Sequence, residues 1–167
     1  MKKYELTEET VTVYGKTLYR IRAVRDFGSV KTGEFGGYIE KEENLSHFGN
    51  AWVFGNAWVF GNAKVYDDAW VCGDAKVYGD AWVSGNAEVF NTRHFFVQGP
   101  IGSRDGYVTF YRTKDDTVEV RCGCFSGSLQ EFVNQVEETH GGSRYEKEYK
   151  LAAELAKVCL RLEGESR

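Results

Sequence analysis

Proline and methionine occur only once each in this chain of 167 residues, and long apolar runs and an excess of basic charge are missing as well. No stretch approaches the roughly 18 apolar residues of a membrane-spanning helix, and the N-terminus MKKYELTEET contains no apolar signal core. We therefore expect a cytoplasmic protein without membrane contacts. The net charge of −4 argues against a protein that coats a long nucleic acid by charge alone.

Cysteine is too scarce and too scattered to predict a disulfide framework. The spacing of Cys72, Cys122, Cys124 and Cys159 favours a reduced compartment. Cys122 and Cys124 could supply half of a zinc site, but no second pair of Cys or His residues completes the four ligands that zinc needs. Two ordinary thiols at a strand end are the simpler interpretation, and we predict neither a metal nor a cofactor.

Glycine, by contrast, occurs 19 times, and much of it is periodic. From Gly49 to Phe90 one hexapeptide recurs, with the pattern Gly, Asn or Asp, Ala, variable, Val, variable. Ala and Val share one side of an extended segment, the variable positions share the other, and Gly with Asn or Asp marks a corner. Three hexapeptides then close one turn, which predicts that every third hexapeptide stacks in register, with Ala and Val inside.

The hexapeptide pattern resembles that of hexapeptide-repeat proteins, and this resemblance implies a left-handed parallel β-helix. The left hand comes from the resemblance alone, because the general rule for parallel crossovers would predict a right hand. Continuing the register towards the N-terminus predicts Leu45 at an Ala position and His47 at a Val position, pointing inward. We therefore predict a mainly β fold with a short left-handed parallel β-helix over residues 41–94.

The flanking segments predict two further domains. Residues 1–40 are expected to form an N-terminal β-hairpin cap that turns at Gly15 and Lys16. Residues 95–167 are expected to form a small α+β domain of pattern β-β-α-α. Its hairpin turns at residues 114–116, and its two helices follow.

The first of these helices is predicted from a capping box formed by Ser128 and Glu131, and Gly141 can close it. The second helix is expected over residues 144–162. The tail, with the motifs IGSRDGYVTFYR and VRCGCFSGSLQEF, is similar to a module of phage and prophage proteins that accompanies hexapeptide repeats. That resemblance implies a viral protein in a host cytoplasm, and it supplies no catalytic residue.

Aromatic side chains occupy most of the variable positions, including all four tryptophans, and they are expected to point outward. A monomer with this surface would be unusually apolar, so a cover is expected. Another copy of the chain, the C-terminal domain or a ligand with flat rings could provide it. Many hexapeptide-repeat proteins are trimers, so the resemblance favours a homotrimer.

A ligand with flat rings would stack on Trp and Tyr, and a Gly-Ser-Arg turn could hold its phosphate. A plain hairpin turn is the simpler interpretation of that motif, and no Walker or dinucleotide motif occurs. The predicted ligand-binding residues are Ser103, Arg104, Arg112, Arg121, Trp52, Trp70, Trp82, Tyr66 and Tyr78.

We find no set of side chains that predicts catalysis. The resemblance raises an acyltransferase with a histidine base. Such enzymes are similar to taller coils, often with a loop that leaves the coil and forms the acyl-donor site. This repeat is short and contains no inserted loop between Gly49 and Phe90. We therefore expect a non-catalytic, oligomeric binding protein of phage origin. It would counter host defence by sequestering a small nucleotide-like signalling ligand or by blocking a host defence protein. A trimeric scaffold or adaptor is the alternative, and an acyltransferase is favoured less.

Overall fold

The computed structural model describes residues 1–160. The end of the predicted C-terminal domain, with the last two residues of its predicted second helix, lies outside the described residues. The chain divides into two compact units, Met1–Thr92 and Arg93–Arg167. Over the described part of the chain, we find no helix that is long and apolar enough to cross a membrane.

The first unit consists of strands that form three small sheets. The longer strands are β1 (Tyr4–Val13), β2 (Lys16–Ala23) and β3 (Phe35–Ile39). The hexapeptides contribute two-residue strands: β4 (Trp52–Val53), β5 (Trp58–Val59), β6 (Lys64–Val65), β7 (Trp70–Val71), β8 (Lys76–Val77), β9 (Trp82–Val83) and β10 (Glu88–Val89). The strand orders are β1-β2-β3-β5-β8, β10-β7-β4 and β6-β9.

The repeat strands pair in parallel with the third hexapeptide along the chain, as predicted. Trp52 pairs with Trp70, and Trp70 pairs in turn with Glu88. Trp58 pairs with Lys76 in the same way. The Ala and Val positions between Ala51 and Val89 are all at most 1% exposed, which confirms that these small residues form the interior.

The predicted fold class is nevertheless wrong. A single left-handed parallel β-helix is not shown, because the strands belong to several separate small sheets and two α-helices follow in the second unit. The physical reason lies in residues 1–40, which we call the N-terminal segment. β3 pairs in parallel with β5, and the antiparallel hairpin β1-β2 extends the same sheet, so repeat and non-repeat strands share it. Only the mainly β character of the prediction fits, and only in part.

The chain before the repeats contains two extra residues, which changes the predicted register. Tyr38 pairs with Trp58 and Leu45 with Val65, so these partners lie further apart along the chain than the stacked hexapeptides do. Leu45 therefore takes a Val position and not the predicted Ala position. His47 was predicted to point into the interior, and this prediction is wrong, because the two extra residues lie outside the stacked positions.

The N-terminal segment covers part of the aromatic surface of the repeat, although it was not among the three covers expected for that surface. The His47 ring stacks on Tyr4 with centroids 4.3 Å apart, and its Nδ1 accepts a hydrogen bond from the Lys3 backbone N–H at 3.1 Å. Trp52 is only 1% exposed. Its ring lies 5.2 Å from that of Phe27 and 6.1 Å from that of Tyr4.

The N-terminal hairpin turns one residue earlier than predicted. Val13 pairs with Lys16, so Tyr14 and Gly15 form the two-residue loop. Both loop residues have positive φ, 50° at Tyr14 and 76° at Gly15. This geometry matches the type I′ turn, whose twist suits the flanking strands.

The second unit is an antiparallel sheet followed by two helices. Its elements are β11 (Phe95–Ile101), β12 (Gly106–Arg112), β13 (Val118–Cys122), β14 (Phe125–Ser128), α1 (Leu129–His140) and α2 (Arg144–Cys159). The strand order is β11-β12-β13-β14. Val108 and Phe110 of β12 pack with Phe132 of α1 and Ala156 of α2 in one buried cluster.

The predicted β-β-α-α pattern is therefore incomplete, because it lacks β11 and β14. β11 occupies a segment for which no strand was predicted, and β14 has the sequence FSGS, which is a weak strand signal. The predicted hairpin β12-β13 and the capping box of α1 are confirmed. Ser128 Oγ accepts a hydrogen bond from Glu131 N at 3.1 Å, and Glu131 Oε2 accepts one from Ser128 N at 2.7 Å.

Lys3 links the N-terminal segment to the repeat through a hydrogen bond from its buried amine. Its Nζ donates a hydrogen bond to the Ala51 carbonyl oxygen at 2.7 Å and lies 4.8 Å from the Phe27 ring centroid. Burial, together with the nearby Arg25, lowers the pKa of Lys3 to about 8, although Asp68 acts in the opposite direction. Folding therefore disfavours the charged form of this amine relative to the unfolded chain.

We expect the free energy of unfolding to rise with pH between about pH 8 and pH 10 because of Lys3. The unfolded lysine, with a pKa near 10.5, binds more protons in this window than the folded one does. Urea unfolding at several pH values should show the wild type gaining stability relative to Lys3→Met as the pH rises. Lys2→Met, at an exposed neighbour, serves as the control. A wild-type stability that stays parallel to that of Lys3→Met would contradict this assignment.

Candidate ligand-binding site

The predicted arginines are not brought together in the second unit. Arg104 lies in the exposed turn after β11, and Arg112 lies at the far end of β12, roughly 20 Å along the strand. Arg112 is only 3% exposed, and its Nε donates to Asp116 Oδ1 at 2.8 Å. Arg121 pairs with Thr109, and the alternation of side chains puts Thr109 and Arg112 on opposite faces of the sheet.

The predicted phosphate-binding turn already holds a carboxylate from the same unit. The backbone N–H of Gly102 donates to Glu148 Oε2 at 2.6 Å. Ser103 follows in the turn and is exposed, as is Arg104. The negative charge of Glu148 therefore stands beside the N–H group that a phosphate would use.

The predicted aromatic residues of the first unit differ widely in exposure. Trp52 is buried beneath the N-terminal segment, whereas Trp70 is 36% exposed and Tyr78 is 46% exposed. The Trp70 ring contacts that of Phe54 at a centroid distance of 5.1 Å. The half-buried members of the predicted set are Tyr66 and Trp82.

One group of aromatic side chains lies together on the outer face of the sheet β1-β2-β3-β5-β8. We call this group, with its one lysine, the ring platform; its members are Tyr14, Trp58, Phe60, Lys76 and Tyr78. Trp58 and Phe60 are two residues apart along the chain, as are Lys76 and Tyr78. The two side chains within each pair therefore point to the same side of the extended backbone. The pairing of Trp58 with Lys76 sets the two pairs side by side.

The rings of the platform form a continuous strip around one buried ring. Phe60 is 5% exposed and packs with Val13 and Leu18 of the hairpin. The Tyr78 ring stacks on Phe60 with a centroid distance of 5.3 Å and an interplanar angle of 15°. The Tyr14 ring lies 6.2 Å from Phe60 and is tilted by 40°. Since Tyr14 is 81% exposed and Tyr78 is 46% exposed, the strip offers ring surface to a flat ligand.

Lys76 adds a positive charge to this strip. Its Nζ lies 4.6 Å from the Trp58 ring centroid, which is a cation–π contact. Lys16 on the same sheet behaves differently, because its Nζ is paired with Glu40 at 2.9 Å. Lys76 is therefore placed to meet an anionic group of a ligand whose ring lies on the platform.

Sequence reasoning identified part of this site. The stacking of every third hexapeptide predicts Phe60 above Tyr78, and Tyr78 was in the predicted binding set. Tyr14 was missed, because its place beside Phe60 depends on how the hairpin joins the repeat sheet. Trp58 and Lys76 were missed although the stacking of every third hexapeptide places them side by side. A signal was present in the alternating pattern of the hairpin, which leaves one of its faces free to cover the repeat.

Comparisons with protein-family models and with curated proteins found no match. The resemblance to hexapeptide-repeat and phage proteins therefore stays a prediction. Across residues 1–160, His, Cys, Asp and Glu side chains form no group of three or more that could hold a metal ion.

The different cover of Trp52 and Trp70 leads to a direct stability test. Trp52→Ala should lower the free energy of unfolding by about 3–5 kcal/mol, because it empties a fully buried site. Trp70→Ala, at a partly exposed position in the same sheet, should cost about 1–2 kcal/mol. Urea unfolding followed by circular dichroism measures both. Equal losses would show that the N-terminal segment does not distinguish the two rings.

Proposed function

We propose that the protein is a non-catalytic binding protein that holds a small nucleotide-like ligand on the ring platform. The observation that carries this proposal is the strip of rings from Tyr14 to Tyr78 with the Lys76 ammonium group beside it. Bases stack on aromatic side chains with about 1–3 kcal/mol each, and a lysine attracts a phosphate as a point charge. A nucleotide carries both of the groups that this surface recognises.

The role that we propose for this binding is sequestration. The resemblance of the tail to phage proteins supports a protein that withdraws a signalling nucleotide of the host and thereby counters a defence system. In that setting the protein acts in the host cytoplasm and needs no catalytic group. Its predicted assembly as a homotrimer belongs to the same proposal.

Isothermal titration calorimetry with cyclic AMP, cyclic di-AMP and ADP-ribose tests the proposal. At least one of these ligands should bind the wild type. Tyr78→Ser should weaken that binding by about 5-fold to 150-fold, the equivalent of one lost stacking contact. Lys76→Met should weaken it as well, and should reduce its dependence on salt concentration. Phe35→Ser, which removes an aromatic residue that is 52% exposed outside the platform, should bind like the wild type.

Two results would contradict the proposal. The first is an absence of binding heat with all three ligands. The second is a Tyr78→Ser protein that binds like the wild type. Size-exclusion chromatography of the same variants distinguishes a scaffold role of the rings from a ligand-binding role. If Tyr78→Ser changes the oligomeric state and leaves binding intact, the rings of the platform serve assembly.

A further inference from the structure

The tip of the N-terminal hairpin holds a bulky residue in a backbone conformation that bulky residues rarely adopt. Tyr14 has φ of 50° in the two-residue loop between Val13 and Lys16. Type I′ loops strongly favour Asn, Asp or Gly at this position, because both loop residues need positive φ. A tyrosine there is strained, and Asn followed by Gly15 would suit the loop better.

Burial does not compensate for this strain. The Tyr14 side chain is 81% exposed, and its ring neighbour is Phe60 at a centroid distance of 6.2 Å. Phe60 is the buried ring on which Tyr78 stacks. The hairpin thus presents an exposed, strained aromatic side chain to the ring strip, and strained residues of this kind cluster at binding sites.

We infer that Tyr14 is a ligand-binding residue of the ring platform, and that it contacts the flat ring of a nucleotide-like ligand together with Tyr78. This inference rests on the proposed function and adds to it a direct ligand contact at the hairpin tip and an orientation of the ligand. The ring of the ligand lies along the strip on both sides of Phe60. The phosphate points towards Lys76, which lies two residues before Tyr78 on the same side of the chain.

The charge distribution of the sheet supports this orientation. At the hairpin end of the sheet, the Lys16 ammonium group is paired with Glu40, and Arg20 is paired with Glu9 at 3.1 Å. Lys76 belongs to the strand at the opposite edge, where it contacts the Trp58 ring. Lys76 is therefore the cation towards which the anionic group of the ligand points, and the ring of the same ligand extends from the β8 edge towards Tyr14.

Replacement of Tyr14 by asparagine separates a binding role from a structural one, because it relieves the strain and removes the ring. We expect Tyr14→Asn to keep a melting temperature no lower than that of the wild type. We also expect it to weaken the binding of cyclic AMP, cyclic di-AMP or ADP-ribose, whichever binds the wild type, by at least about fivefold. Tyr14→Phe keeps the ring and should bind within about twofold of the wild type, since stacking does not need the hydroxyl group.

The outcomes separate this inference from the proposed function. If Tyr78→Ser loses affinity but Tyr14→Asn binds like the wild type, the inference about Tyr14 is overturned and the platform remains a binding site. If Tyr14→Asn loses several degrees in melting temperature together with its affinity, the ring serves packing and the inference is again overturned. If the wild type binds none of the three ligands, the proposed function fails and the inference fails with it.

Discussion

Parallel pairing between every third hexapeptide decides which side chains of the repeat can be large. Side chains of equivalent positions stack directly on one another at about the spacing of neighbouring strands, 4.8 Å. The inward positions of the repeat hold only Ala and Val, and their exposure is at most 1%. A larger residue there would overpack a column that continues into the next turn. The aromatic residues of the repeat must therefore lie outside.

An aromatic exterior has to be covered, and the N-terminal segment covers only part of it. Trp52 is enclosed by Tyr4 and Phe27, whereas Trp70, its neighbour in the sheet, is 36% exposed. Phe60 and Tyr78 repeat this relationship on another sheet, with one ring buried by the hairpin and the next one exposed. The ring platform lies at this boundary. It combines the rigidity of buried residues with the accessibility of exposed ones, and binding sites need both.

The sequence predicted the inside of the repeat better than its surroundings. Periodicity alone places Ala and Val in columns, because a repeated hexapeptide has few other ways to bury them. The two extra residues near His47 gave no such signal, because they lie outside the repeated pattern. The His47 ring contacts Tyr4, which is distant in the sequence, and periodicity does not reveal such a contact. The strand β14 was missed for another reason, because Gly and Ser have low strand propensity and the pairing with β13 decides its structure.

The candidate site was only partly predictable for the same physical reason. The turn at residues 114–116 was assigned from sequence, and the alternation of the strands on either side of it could have separated Arg112 from Arg121. Tyr14, by contrast, reaches the repeat only through the pairing of β2 with β3 and of β3 with β5. Each pairing is set by tertiary packing, which short sequence windows do not contain.

The most direct test of the ring platform is a titration with cyclic AMP, cyclic di-AMP and ADP-ribose in turn, followed through the indole N–H signals of the four tryptophans in a ¹H–¹⁵N NMR spectrum. Single Trp→Phe variants assign the signals. If the ligand lies on the platform, the Trp58 signal shifts progressively and saturates, while the buried Trp52 signal stays in place. If each of the three ligands shifts only the signals of Trp70 or Trp82, or none of the four, the platform is not the site.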